Sequence, residues 1–244
     1  MQKIDEEFEF LEEDRDCSYY EDRLSDIRYK YLKHSSPQEQ LSLLMRGWRR
    51  FGHMHFVPEC KNCKECISMR ILVDEFKFSK SQRRVFSKNI DTKVYIQSPT
   101  LSVEHLRLYD KYHKHMNDKK DWQYTPISPE EYSRSFVEAK NVYGKEILFM
   151  RDEQLIGVAL IDVLPDGISS IYCYYDHDYE DLSIGKFSIL AQIKIAKELN
   201  VPHIYLGYWI KDHFSMGYKE YYKPFEILEN RPTINDEPIW TRYE

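Results

Sequence analysis

The sequence predicts a mixed α/β protein, of the α+β kind, made of two packed halves: residues 1–98, rich in cysteine and basic side chains, and residues 99–244, a mixed sheet with flanking helices. Three observations predict it. The chain has 244 residues, long for one domain and short for two full ones. Its apolar periodicity changes from helical to strand-like near Lys145 and returns to helical near Leu182. Its charge is unevenly spread: the net −6 hides twelve Lys and Arg against five acids between positions 43 and 93, a local +7 that leaves −13 for the remainder.

The elements follow in chain order. Ser36-Pro37-Gln38-Glu39 puts Ser at an N-cap, Pro at the first helical position and Glu at the third, and Gly47 closes the helix. Residues 101–116 read as a helix through Leu101, His105, Leu108 and Tyr112. Ser128-Pro129-Glu130-Glu131 repeats the capping chemistry ahead of a helix reaching Ala139. Residues 147–150, 154–163 and 168–175 are β-rich runs broken by Asp152-Glu153 and Pro165-Asp166-Gly167, an antiparallel meander. Residues 182–199 form a long helix ended by Asn200-Val201-Pro202, and 203–210 is a buried strand. That order, with Gly185 at the helix start, is the layout of an acyltransferase fold of the acetyltransferase (GNAT) type. Such a helix start offers free N–H groups to an acyl donor's phosphate or carbonyl, although a glycine there also serves plain turn chemistry.

Composition excludes other classes. With 42% apolar and 31% charged residues the chain reads as soluble and globular. The apolar run at 156–161 stops at Asp162, far short of the ~18 residues a spanning helix needs. Positions 1–16 carry eight acids against two bases, the reverse of a leader, so a cytoplasmic location is expected. Five cysteines are too few and odd in number for a disulfide scaffold; Cys60, Cys63 and Cys66 suggest a metal site or reduced thiols.

The basic stretch has two readings. On an acidic protein it is the footprint of a face that meets polyphosphate, but Lys80-Ser81-Gln82-Arg83-Arg84 taken alone reads rather as a solvated helix face. Trp48, Phe51, Phe56, Phe76, Phe78 and Phe86 offer rings for base stacking or for core packing. His53 and His55 alternate on a strand and share one face, as a ligand pair or as half-buried sheet surface.

A stronger signal comes from segments in series. Gly47-Trp48-Arg49-Arg50-Phe51-Gly52, then residues 56–66 with the three cysteines, then Met69-Arg70, resemble the N-terminal signature of the aminoacyl-tRNA–protein transferases. Asp181-Leu182-Ser183-Ile184-Gly185, residues 205–210 and Met216-Gly217-Tyr218-Lys219 resemble that family's C-terminal signature, and Cys17-Ser18-Tyr19 its first cysteine motif. The resemblance spans nearly the whole chain, in the family's order. Length and the Cys-x2-Cys-x2-Cys form are similar to the bacterial aspartate/glutamate leucyltransferase subfamily rather than the longer arginyltransferases. Phe51 and Ser68 stand where family members often carry Ser and Pro.

The resemblance implies transfer of leucine from its charged tRNA to the N-terminus of proteins beginning with Asp or Glu, marking them for degradation by the N-end rule. An arginine donor is the sister alternative. A coenzyme A-dependent acetyltransferase, or a noncatalytic nucleic-acid-binding module, would each leave half the chain unused. No nucleophile is required, because the ester is already activated and an α-amine of pKa ~7.7 to 8.0 is partly neutral. Arg49, Arg50 and Arg70 are the candidates to grip an acceptor carboxylate, with Gly185 at the donor. Lys80, Arg83, Arg84 and Lys88 are the candidates for tRNA phosphates. The catalytic candidates are Tyr208, Trp209, Asp212, Tyr218 and Lys219; Asp212 would orient the amine or take its proton, and Tyr208 or Lys219 would hold the ester oxygens. Tyr208 and Trp209 are also ordinary core aromatics, and Asp212 and Lys219 ordinary loop charges. Cys17, Cys60, Cys63 and Cys66 give four thiolates, enough for zinc or an iron–sulfur cluster and equally consistent with reduced thiols pinning a loop. Cys173 reads as core. Transfer itself requires no cofactor.

Overall fold

A computed structural model describes residues 7–120 and 124–244; the first six residues of the acidic N-terminal run lie outside it. Two sheets organise the chain. The smaller has strands β1 (Glu7–Asp16), β2 (Leu24–Leu32), β3 (Arg49–Phe51) and β4 (Met54–Pro58) in the order β1-β2-β4-β3, all antiparallel. Helix α1 (Pro37–Met45) interrupts them, and the capping box expected at Ser36 and Glu39 is present.

The larger sheet has eight strands. Besides β5 (Ile67–Leu72) and β6 (Lys93–Gln97) it contains β7 (Gly144–Arg151), β8 (Gln154–Leu164), β9 (Gly167–Tyr175), β10 (His203–Trp209), β11 (Phe225–Leu228) and β12 (Trp240–Tyr243). Their order is β12-β11-β5-β10-β9-β8-β7-β6. The expected meander β7-β8-β9 is antiparallel, and β10 returns parallel to β9 through the long helix α5 (Ile184–Leu199). Strands from both sides of residue 98 therefore share one sheet: β5 inserts between β10 and β11, and β6 forms an edge beside β7.

Both faces of this sheet are covered. On one face α5 buries Phe187, Leu190 and Ile193 against Ile156, Ala159, Ile161 and Ile204, with α2 (Lys80–Lys88) packed beside it. On the other, α3 (Val103–Lys120) packs Leu108, Tyr112 and Met116 on Val158, Leu160 and Tyr174, and α1 sets Leu44 against Leu164 and Tyr205. Alternate residues of β8 serve opposite faces, the period of two expected of a strand buried on both sides.

One expected helix reaches Ala139 but changes type on the way. The box at Ser128 and Glu131 opens α4 (Pro129–Tyr132), after which the chain widens into a π turn at Ser133–Val137 and tightens into a 3₁₀ turn at Glu138–Lys140. Two contacts from the small sheet fall on this stretch: the β3–β4 turn sets Gly52 on the Arg134 carbonyl, where a Cβ would come within 2.4 Å, and Arg50 takes the Ala139 carbonyl as a hydrogen-bond acceptor. Among the described residues no helix is long and apolar enough to cross a membrane.

Candidate active site at the open end of strand β10

Strands β9 and β10 pair only at their beginnings. The parallel register runs His203–Gly167, Ile204–Ile168, Tyr205–Ser169 and then stops, although β9 continues to Tyr175 and β10 to Trp209. Both strands are irregular at this level. β10 shifts register against β5 between Tyr205 and Gly207, and β9 shifts against β8 opposite Leu160 and Ile161. Gly207 has φ of 79°, a conformation glycine adopts without strain, and the bulge turns β10 away from β9. The parting strands leave carbonyls without ladder partners in a buried place.

Arg49 fills that opening. Its guanidinium, 8% exposed, donates to the carbonyls of Ser170 on β9 and Tyr205 on β10. A Cβ on residue 207 would lie 3.3 Å from Arg49 Nε, so glycine is also required by the closeness of this side chain. Among the described residues Arg49 has no carboxylate partner. Burial, then the neighbouring Arg50 charge, pulls its pKa down, while Tyr208 and Asp162 act the other way. A guanidinium keeps its proton under all ordinary conditions, so a cation is held in the opening at an energetic cost.

Lys219 lies beside it. It is 6% exposed, and its amine donates to the Tyr208 carbonyl and lies 3.9 Å from Met216 Sδ. Burial, reinforced by Arg49, brings its pKa down to about 7, against a smaller opposing effect of Cys66. A lysine so placed is half neutral at neutral pH and accepts a proton, which an exposed lysine cannot do.

The other candidates fall into three groups. Tyr208 is buried and donates its phenol proton to the carbonyls of Gly47, at 2.9 Å, and Phe56, joining β10 to the small sheet. Trp209 is in the core against Phe225 and Tyr243, while Asp212 is exposed on the loop after β10 and Tyr218 is partly exposed close by. Arg50 and Arg70 have their charges met. Arg50 forms a two-point ion pair with buried Asp162 and also donates to the Gly52 and Ala139 carbonyls. Burial lowers its pKa, but the carboxylate outweighs burial and the net shift is upward. Arg70 donates to Glu226 at 2.7 Å and to the Tyr205 hydroxyl, with Asp166 at 3.7 Å.

Gly185 sits in the first turn of α5 beneath Tyr175, where a Cβ would come 3.1 Å from the ring. The four cations of α2 are exposed. Arg83 donates to its own Phe78 carbonyl, and Lys88 reaches the Asp181 carbonyl just before α5, so this helix borders the start of α5. The basic stretch is not one compact face, however: Arg49, Arg50 and Arg70 turn inward, and Lys61 pairs with Glu13. Of the aromatics, Phe76 is buried and Phe78, Phe86 and Phe187 pack edge to face, whereas Phe51 is 40% exposed and stacks on Phe56 near Tyr172.

The cysteines gather near the loop after β10. Burial, with smaller contributions from neighbouring Cys17, Cys60 and Cys63 and against Arg231, raises the Cys66 thiol to about 12. Arg231 donates to the Cys60 and Cys63 carbonyls, and Tyr19 accepts from His213. Among the described residues no group of three or more metal-capable side chains is placed to hold an ion. His55 is likewise not a ligand partner of His53. It is buried, its pKa is brought down to about 4 by burial and by Arg50, and its ring meets Gln40. Cys173 is packed against the main core, as expected.

Two participants escaped the sequence. Gly207 had a signal, an isolated glycine within a strand pattern, which marks a bulge. Asp162, which occupies Arg50, had none, because it lies 112 positions away.

Comparisons with known proteins identify relatives along the whole chain. The family model for arginine-tRNA-protein transferase, N terminus, matches residues 15–84, and that for its C terminus matches 104–229. The aspartate/glutamate leucyltransferase of Helicobacter hepaticus is 46% identical over 235 residues, covering 96% of this chain and 98% of that one. The protein of the same name from Campylobacter jejuni (serotype O:6) is 47% identical over 227 residues, covering 93% and 95%. Among solved structures, the crystal structure of FemX superposes with a TM-score of 0.49 at 9% identity, covering 80% of this chain and 66% of that one.

Proposed function

The chain belongs to the arginine-tRNA-protein transferase family, and from that premise we propose that it transfers leucine from charged tRNA to the α-amine of proteins beginning with Asp or Glu. The observation that carries the chemical part is Lys219, a buried amine with pKa about 7 beside the parted strands. The acceptor's ammonium gives its proton to neutral Lys219. The freed amine attacks the ester carbonyl carbon, a C–N bond forms, and the C–O bond to the terminal ribose breaks. Lys219 releases that first proton to solvent, takes the second from the attacking nitrogen and hands it to the leaving ribose oxygen, so the reaction balances as ester plus ammonium to amide, alcohol and one proton.

Arg49 holds β9 and β10 apart and sets a fixed positive charge near the developing oxyanion. The exposed cations of α2, Lys80, Arg83, Arg84 and Lys88, serve the tRNA backbone beside the start of α5. No step runs through a metal or other cofactor, and the cysteines are given a structural part in holding their loop. Charged tRNA is a cytoplasmic substrate, and the cytoplasm is the proposed location. The product is marked for degradation by the N-end rule.

The test incubates the protein with tRNA charged with radiolabelled leucine or arginine and with peptides beginning Asp, Glu or Ala. Leucine entering only the Asp and Glu peptides is the expected result. Arginine entering instead would move the donor to the sister specificity. No transfer from either, with charged tRNA recovered intact, would overturn the transferase reading.

A further inference from the structure

The three arginines that the sequence offered for an acceptor carboxylate are engaged: Arg50 with Asp162, Arg70 with Glu226 and Asp166, and Arg49 with strand carbonyls. A different set of cations surrounds a cavity of about 550 Å³ between the small sheet, β5 and the segment after β11. Arg46, Lys64 and Arg231 line it, against one acid, Glu229. Arg46 donates to the carbonyls of Thr233 and Asp236 and to Ser42, and Arg231 to those of Cys60 and Cys63. Those bonds fix the guanidiniums in place through carbonyls and a hydroxyl, and among the described residues none of the three cations forms a close ion pair with a carboxylate.

The cavity adjoins the reacting region. Tyr208 lines it, and the same residue's carbonyl holds the Lys219 amine. Its volume lies within the usual range for small ligands, about 300 to 1,000 Å³. Building on the transferase reading, we infer that this cavity seats the N-terminal residue of the acceptor protein: Arg46, Lys64 and Arg231 receive its side-chain carboxylate, and its ammonium is directed past Tyr208 towards Lys219. The donor's leucyl group is disfavoured on charge. An esterified leucine carries an ammonium and no carboxylate, so three cations repel it, whereas an N-terminal Asp or Glu carries both signs and matches the lining. This also explains a preference for Asp and Glu over Asn and Gln, which fill the same space without the charge.

Lys64 is exposed, so changing it spares the fold. Binding of a fluorescent peptide beginning Asp, and of its Asn counterpart, is measured for the full chain and for Lys64→Glu without tRNA. The wild type is expected to hold the Asp peptide about tenfold more tightly than the Asn peptide, and Lys64→Glu to erase that difference. In the transfer assay the variant raises KM for the Asp peptide about tenfold and leaves KM for charged tRNA unmoved. Equal binding of the two peptides by the wild type overturns the inference. A KM change confined to charged tRNA also overturns it and gives the cavity to a nucleotide phosphate. Because the binding arm uses no tRNA, selective binding without transfer would reject the reaction while the subsite stands.

Discussion

The two ends of strand β10 carry similar charged and aromatic side chains in different company. At its start, His203 and Tyr205 both bond Asp166, and Tyr205 also receives Arg70, which is held by Glu226. Burial raises the Asp166 pKa, but the bonds from His203 and Tyr205 outweigh it and hold the carboxyl below its ordinary value. At its finish, Lys219 and Arg49 meet carbonyls instead of carboxylates, and the Trp209 indole nitrogen is buried without a partner among the described residues. Charges neutralised within the fold hold it together. Charges buried against dipoles alone keep an electrostatic demand that a substrate can meet.

The largest expected effect is at the open end. Lys219→Met removes the proton acceptor and lowers kcat about 10²- to 10⁴-fold. The wild-type rate falls about tenfold per pH unit below about 7, as the amine protonates, and the variant lacks that limb. Stability moves the other way. The folded pKa lies below the ordinary 10.5, so the unfolded chain binds the proton more readily between those values; the cost is full below about pH 7 and fades as pH rises towards 10.5. Methionine carries no such cost, so Tm at pH 7 holds or rises, and a fallen Tm would show that the amine mainly supports the fold.

At the paired end the same kind of change reads in the opposite assay. Arg70→Met leaves Glu226 and Asp166 without their cation and lowers stability by about 1 to 3 kcal/mol in chemical denaturation, with kcat nearly unchanged. A large kcat loss at unchanged stability would erase the contrast between the two ends. The smallest effect lies at the junction. Gly207→Ala places a Cβ at positive φ and against Arg49, costing about 1 to 2 kcal/mol and disturbing both assays together. Loss of only one property would show that the bulge belongs to one end alone.

Much of the fold was legible because its signals are local. The capping boxes at Ser36 and Ser128 act within three residues, and both helices start where expected. The meander, the long helix and the returning strand followed from periodicity and turn residues. The change of type within the helix at Ser128 was not legible, since its widening coincides with contacts from the small sheet. At the site, the segment holding Lys219 was legible from its resemblance to known transferases, but its burial was not.

The sequence by itself determined the capped helices, the meander with its long helix and returning strand, and the family, because caps, periods and motifs act over a few neighbouring residues. Only the tertiary structure decided which charges are spent. Arg49, Arg50 and Arg70 look alike in sequence, yet Asp162 meets Arg50 across 112 positions and Glu226 meets Arg70 across 156, while Arg49 enters a gap between strands and finds carbonyls. The cost of burying a charge depends on the group opposite it, and long-range packing alone supplies that group.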